Sequence, residues 1–305
     1  MSSRAAKLPA FCHMCGQRLS GTFLTYDTGL VVCSSCNATV PHCGLCNIPS
    51  HQLTSVRGVQ ICPACRQKLP VCACCGIPIL KEYAIVGDSS APYCQTCMTT
   101  RPRCDICRVP LNDKGKTIRE QGGNTYRCAS CYSTAVTTAA EAERLYRETR
   151  ALLKGELKLD IPLLPELHIV ERAKLAALNA QSLMNGNAEA PIGPDPQHLL
   201  GFFQRNGEDR AIYIEQVLPR TLFKAVAAHE LAHAWQSFYA PSTQPLKIVE
   251  GFAEWASYRI LLALGQQREA ARLTRRTDLY GEGLHYFLDL EREHGRDRVL
   301  QRAAQ

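Results

Sequence analysis

At 305 residues, 46% hydrophobic and 21% charged, the chain has the composition of a globular protein of about two domains. No run approaches the roughly 18 uninterrupted apolar residues of a membrane span, and the opening MSSRAAKLPAFC has no apolar core of signal-peptide length, so a cytoplasmic protein without a membrane partner is expected. The net charge of +7 invites a nucleic-acid reading, but residues 1–133 hold 14 Lys and Arg against 6 Asp and Glu, while residues 134–305 hold 21 against 22.

All 17 cysteines lie between Cys12 and Cys131, and the last 174 residues have none. Thiols clustered in a reducing compartment read as metal ligands before they read as disulfides. Sixteen of them form eight CxxC pairs: Cys12 and Cys15, Cys33 and Cys36, Cys43 and Cys46, Cys62 and Cys65, Cys72 and Cys75, Cys94 and Cys97, Cys104 and Cys107, Cys128 and Cys131. The intervals alternate, with 17, 15, 18 and 20 residues in the long ones and six in each short one. Units therefore begin at Cys12, Cys43, Cys72 and Cys104, and the last three open on Pro-x-Cys at Pro41, Pro70 and Pro102.

A CxxC turn presents two sulfurs to one cation, and a second turn 15–20 residues on completes a tetrahedral thiolate site. The stretches between, such as GTFLTYDTGLVV and KEYAIVGDSSAPY, alternate and contain turn residues, as β-hairpins do. About 30 residues cannot bury a sufficient core alone, whereas structural zinc supplies roughly 10–16 kcal/mol per site. Four structural zinc ions paired sequentially are expected; free or disulfide-bonded cysteines, and cross-braced pairing between units, are the alternatives. Cys74 reads as a bystander, and His13, His42 and His51 as surface or turn residues. Each four-thiolate zinc carries about −2, so four such ions cancel the basic excess of the first half. A local patch at Arg101, Arg103 and Arg108 remains, but nucleic acid is an unfavoured partner and a protein partner the favoured one.

Past the last cysteine, Leu145, Tyr146, Thr149, Leu152 and Leu153 recur at helical spacing, predicting a linking helix within 134–158 with Gly155 as its C-cap. GELKLDIPLLPE reads as a connecting loop, ELHIV, LLGFF and RAIYIEQ as strands, and NGNAEAPIGPDPQ as an exposed loop. RAIYIEQ is the expected edge strand of the small sheet. Pro219 can start a helix running to about Tyr239.

That helix contains AAHELAHAWQ. Unpartnered imidazoles and carboxylates are costly to bury, and His229 and His233, at i and i+4, share one face. This is the H-E-x-x-H arrangement, in which two histidines hold zinc and the intervening Glu230 acts as base. The alternative is a core helix with two hydrogen-bonded histidines. APSTQPLK then breaks the helix, and IVEGFAEWASYRILLALG reads as a second one, with Glu250 in its first turn. Glu250 lies 17 residues beyond His233, enough for a turn and a return, which makes it the third ligand. Glu254, one turn further along the same face, is expected to accept from a ligand histidine, with an ordinary surface carboxylate as the alternative.

HELAHAWQ followed by VEGFAEW resembles the zinc aminopeptidases of the leukotriene-hydrolase type and the wider gluzincin group of zinc peptidases. YGEGLHYFLDLEREHG resembles their Tyr-x-x-Gly helix, which implies that Tyr280, with Gly283 completing the pattern, donates to the oxyanion; a tyrosine packed at a helix start is the alternative. The cysteine ladder, VLPRTLFKAVAAHELAHAW, VEGFAEW and LYGEG together resemble the LIM-domain-containing peptidases of the plant DA-one type, over most of the chain, as a compact relative. The resemblance implies an α+β protein: four tandem β-hairpin zinc-ribbon or LIM-like modules over 1–133, a linking helix over 134–158, and a mainly helical gluzincin domain with a small sheet over 159–305. Two departures stand out. LIM modules have about two residues between zinc sites and often use histidine, whereas here the gap is six and every ligand is cysteine. No ubiquitin-interacting helix is evident before Cys12, so activation by ubiquitin does not carry over.

The expected function is that of a zinc metallopeptidase with one catalytic and four structural zinc ions, acting on protein or peptide substrates. No Gly-x-Met-Glu-Asn-like segment is present to anchor a free amine, which favours an endopeptidase. The zinc modules would recruit substrate or cover the cleft. The alternative is a non-proteolytic zinc-module adaptor with a structural metal site in its C-terminal half.

Overall fold

The computed structural model describes residues 11–87, 89–120, 123–184, 199–241 and 243–305, with 182–184 by backbone alone. The loop expected over 185–197 lies outside the described residues. By contacts, the chain divides into two units, one running through Pro102 and including Arg108–Asn112, the other formed by Arg103–Cys107 and Asp113–Gln305. The fourth cysteine module therefore counts with the C-terminal unit.

The first unit repeats one design three times. β1 (Phe23–Thr25) pairs antiparallel with β2 (Val31–Cys33), followed by α1 (Ser34–Thr39). β3 (Thr54–Val56), β4 (Val59–Ile61) and α2 (Pro63–Lys68) form the second module. β5 (Tyr83–Ile85), β6 (Pro92–Cys94) and α3 (Gln95–Thr100) form the third. The first CxxC of each module sits in a turn, and the second spans the end of the hairpin and the start of the helix. The apolar cores are small: Val56 and Ile61 beside Cys43, then Ile79 beside Cys72, Cys94 and Cys97. Cores of this size need a cross-link to hold a fold.

The second unit begins with the fourth such module, β7 (Lys116–Glu120), β8 (Gly123–Arg127) and α4 (Ala129–Ser133). α5 (Ala139–Leu157) follows, opened by Thr138, whose hydroxyl accepts from the Glu141 N–H. It does not stop at Gly155. It runs on to Leu157 and is closed by Lys158 in the left-handed region, φ 59°, whose N–H reaches back to the Leu153 and Lys154 carbonyls.

Next come β9 (Glu166–Val170), α6 (Arg172–Met184), β10 (Gly201–Asn206) and β11 (Asp209–Glu215). The sheet order is β10-β11-β9, with β11 antiparallel to β10 and parallel to β9. The expectation that RAIYIEQ is an edge strand is therefore corrected. β11 is the middle strand, its backbone groups are shared with both neighbours, and β10 and β9 are the outer strands. α6 had no counterpart in the sequence expectations.

Five further helices complete the unit: α7 (Arg220–Tyr239), α8 (Leu246–Ala263), α9 (Gln267–Leu273), α10 (Leu279–His294) and α11 (Arg296–Ala303). The core is built on Tyr146, Leu153, Phe223, Phe252, Trp255 and Phe287, all fully buried. Each such side chain contributes roughly 1.5–3 kcal/mol of burial. α7 packs against α5, α8, β10 and β11, so a helix apolar on most of its surface is enclosed on several sides. Among the described residues, no helix is long and apolar enough to cross a membrane.

Candidate metal centres

Four clusters each gather four cysteine sulfurs within 4.8 Å of one another: Cys12, Cys15, Cys33 and Cys36; Cys43, Cys46, Cys62 and Cys65; Cys72, Cys75, Cys94 and Cys97; Cys104, Cys107, Cys128 and Cys131. Each joins two successive CxxC pairs, so the pairing is sequential and not cross-braced, and no disulfide links these cysteines. Cys74 stands outside the clusters, its thiol donating to the Leu111 carbonyl at 3.3 Å.

Backbone amides prepare the sulfurs for a cation. Cys33, Cys62 and Cys128 cap their helices by accepting from the N–H three residues on, at 3.4, 3.5 and 3.4 Å. Cys12, Cys43 and Cys72 accept across the module from the N–H groups of Cys33, Cys62 and Cys94 at 3.4, 3.3 and 3.3 Å. Burial works to raise the thiol pKa of these three, but the amide donors outweigh it and bring each down to about 6. Thiolate is the metal-binding form, so four sulfurs in this setting fit structural zinc.

The fifth group is of another kind. His229, His233 and Glu250 bring two imidazoles and a carboxylate within the same 4.8 Å limit. Both ring Nε2 atoms face one oxygen, Glu250 Oε2, at 3.2 and 3.5 Å. Their outer nitrogens have acceptors behind them: His229 Nδ1 lies 3.3 Å from Glu254 Oε2 and His233 Nδ1 3.2 Å from Gln236 Oε1. In a neutral ring, an Nδ1–H donated outward would leave the Nε2 lone pair facing the shared centre. This donor set fits a two-histidine, one-glutamate zinc site. Glu250 is the fifth residue of α8 and so lies in its second turn, one turn later than expected. Glu254, one turn beyond, is 4% exposed and holds His229.

The surroundings favour positive charge. Burial works to lower the His229 pKa, but hydrogen bonds to Glu250 and Glu254 override it and push it up to about 10. His233 is raised in the same way by Glu250. Burial acts to raise the Glu250 pKa, but the two imidazoles pull it below the usual carboxylate range. Glu230 is also buried, and desolvation raises its pKa despite both histidines. It lies on α7 between His229 and His233 but outside the candidate ligand set.

Tyr280 enters from α10, its ring centroid 6.0 Å from that of His229. Burial, reinforced by Glu250 and Glu230, holds its hydroxyl protonated. The approach of α10 to α8 depends on two glycines: a methyl group built on Gly251 would fall 2.5 Å from Gly283 Cα, and the converse holds. With no Cβ at either position the backbones meet, which brings Tyr280 beside His229.

Two features had no place in the sequence expectations. Arg276 donates to Glu254 Oε1 at 2.9 Å and lies over the Tyr280 ring. Gln236 holds His233. Gln236 has a local signal, since i+3 on the same helix face is within reach; Arg276 has none.

No family model matches the chain. It is 25% identical over 246 residues to Protein DA1-related 2 of Arabidopsis thaliana, an alignment covering 58% of this chain and 45% of that protein. It is 26% identical over 186 residues to LIM domain-containing protein HDR3 of Oryza sativa subsp. japonica, covering 52% of this chain and 36% of that protein. Each alignment spans less than half the length of the relative. The four-cysteine clusters and this likeness make the chain a zinc-module protein distantly similar to DA1-related and LIM domain-containing proteins.

Proposed function

We propose that the chain is a zinc-dependent metallopeptidase, an endopeptidase acting on protein substrates, with its zinc modules serving recruitment or cover of the cleft. The observation that carries this reading is the buried Glu230 beside a converged His229, His233 and Glu250, with Tyr280 next to His229. A metal site serving only structure has no use for a carboxylate held there outside the ligand set.

His229, His233 and Glu250 would hold zinc, which when bound supplies Lewis acidity and makes water more acidic. Glu230 accepts the proton of the attacking water and passes it to the leaving amine. The protonated Tyr280 hydroxyl donates to the developing oxyanion. Glu254 and Gln236 fix the orientation of the two imidazoles. β10, an outer strand packed against α7, aligns the substrate by pairing an extended peptide through its backbone.

Peptides with free and acetylated amino termini test the endopeptidase reading. Equal turnover of the two, abolished by a zinc chelator and restored by zinc, is the expected result. Turnover confined to free amino termini would make the protein an aminopeptidase. Turnover indifferent to chelator would remove zinc from the chemistry.

A further inference from the structure

Arg276 occupies the loop between α9 and α10, and its guanidinium reaches three groups. Nη1 donates to Glu254 Oε1 at 2.9 Å, while the other oxygen of that carboxylate faces His229 Nδ1. Nε and Nη2 donate to Asp278, at 3.1 Å to Oδ1 and 2.7 Å to Oδ2. The cation also lies over the Tyr280 ring, 4.4 Å from its centroid. Asp278 is in turn the N-cap of α10, accepting from the Gly281 N–H at 3.1 Å. The Arg276 backbone is set against the same turn, since a methyl group on Gly281 would fall 2.1 Å from the Arg276 carbonyl oxygen.

From this geometry we infer that Arg276 is a positioning residue that anchors the metal-facing histidine and the oxyanion tyrosine to one guanidinium. Glu254 has two oxygens and two tasks. One holds the His229 ring; the other is held by Arg276, so the carboxylate cannot rotate away from the imidazole. The flat face of the same guanidinium supports the Tyr280 ring. A planar fork can bridge and stack at once, whereas an ammonium cannot. Because Asp278 both neutralises Arg276 and starts α10, the helix that delivers Tyr280 is registered on the cation that fixes Glu254. The tyrosine half of this inference rests on the peptidase reading; the Glu254 half does not.

The test uses the full chain as Arg276→Ala, Arg276→Lys, Glu254→Gln and the double variant Arg276→Ala/Glu254→Gln. Zinc held at the histidine site is titrated against a graded chelator, with His233→Ala identifying which ion that is. Arg276→Ala is expected to weaken retention roughly 10–100-fold, and the double variant to be no weaker than Glu254→Gln alone. Arg276→Lys, which keeps the charge, should hold zinc nearly as well as the parent. Unchanged retention in Arg276→Ala, or full additivity with Glu254→Gln, would overturn the anchoring of His229. On peptide substrate, Arg276→Ala should lower kcat with little change in KM, and should lower it less in a Tyr280→Phe background. Arg276→Lys should recover only part of the loss, because it cannot also support the ring. An equal fall in both backgrounds would overturn the tyrosine half. A zinc-loaded parent that cleaves nothing, with its 103–305 segment equally silent, would sink the peptidase reading, and the zinc titration would still decide whether Arg276 anchors Glu254.

Discussion

Arg127 is fully buried and donates through Nη2 to Glu215 Oε1 at 2.5 Å, joining residues 88 positions apart. Its Nη1 reaches Asp105 at 3.3 Å and its Nε the Val217 carbonyl at 3.0 Å, while Arg172 bridges the same two carboxylates from the side. Asp105 lies inside the Cys104 and Cys107 turn and Arg127 immediately precedes Cys128, so both halves of the fourth cysteine cluster are bonded into the sheet of the C-terminal unit. Val136 N–H to the Leu218 carbonyl and Arg220 N–H to the Thr134 carbonyl, each 2.9 Å, continue the seam to the start of α7.

Removing one member of such a network leaves its partners buried and uncompensated. Arg127→Met is expected to cost about 3–5 kcal/mol, seen as a lower denaturation midpoint for the C-terminal unit. A shift too small to resolve by denaturant titration would show that the network is solvated and weak.

The Gly251 and Gly283 contact sets the position of α10. Gly283→Ala places a methyl group 2.6 Å from the Lys247 carbonyl oxygen and 2.5 Å from Gly251 Cα, so the helices must part. Overpacking of this kind costs about 1–3 kcal/mol, and peptide turnover should fall with it as Tyr280 is displaced. Full stability measured by thermal melting would show that the helices separate freely.

Five zinc ions per chain are expected by native mass spectrometry: one for each four-cysteine cluster and one for His229, His233 and Glu250. Cys43→Ser/Cys46→Ser and His233→Ala should each retain four. A parent holding four, unchanged by His233→Ala, would remove metal from the histidine site.

The acid limb of kcat/KM reports the base. Glu230 must be ionised to accept a proton, so activity should fail on acidification as Glu230 is protonated, burial moving that point up and the bound zinc moving it down. The profile should be recorded with zinc content checked at each pH, because protonation of the ligands would also abolish activity by releasing metal. An acid limb that persists unchanged in the residual activity of Glu230→Gln, with zinc retained, would exclude Glu230 as the base.

Those parts of the molecule that obey local spacing were legible in the sequence. Metal ligation fixes the separation of ligands along the chain, so the four cysteine clusters could be placed, and the i and i+4 histidines followed by a helix break pointed to Glu250. Properties settled between distant segments were not legible. Whether β11 lies at the edge or the middle of a sheet depends on which strands flank it, and its own residues read the same either way. Arg127 beside a cysteine reads as a surface charge until Glu215 is folded over it. Arg276, in the polar run TRRTD, has no periodicity to mark it, and only the tertiary approach of Glu254 and Tyr280 reveals its place. Gly155 misled because a glycine near a helix end is a common cap, whereas here Lys158 took the left-handed position three residues later.

The most direct measurement compares cleavage of a mixed pool of unfolded proteins by the parent chain and by Glu230→Gln, with bound zinc determined for both. The substitution preserves size and removes the base. Cleavage by the parent, reduced on the order of 10²–10⁴-fold in the variant while all zinc is retained, is the predicted result. Equal cleavage by the two proteins, or none by a fully zinc-loaded parent and by its isolated 103–305 segment, would contradict it.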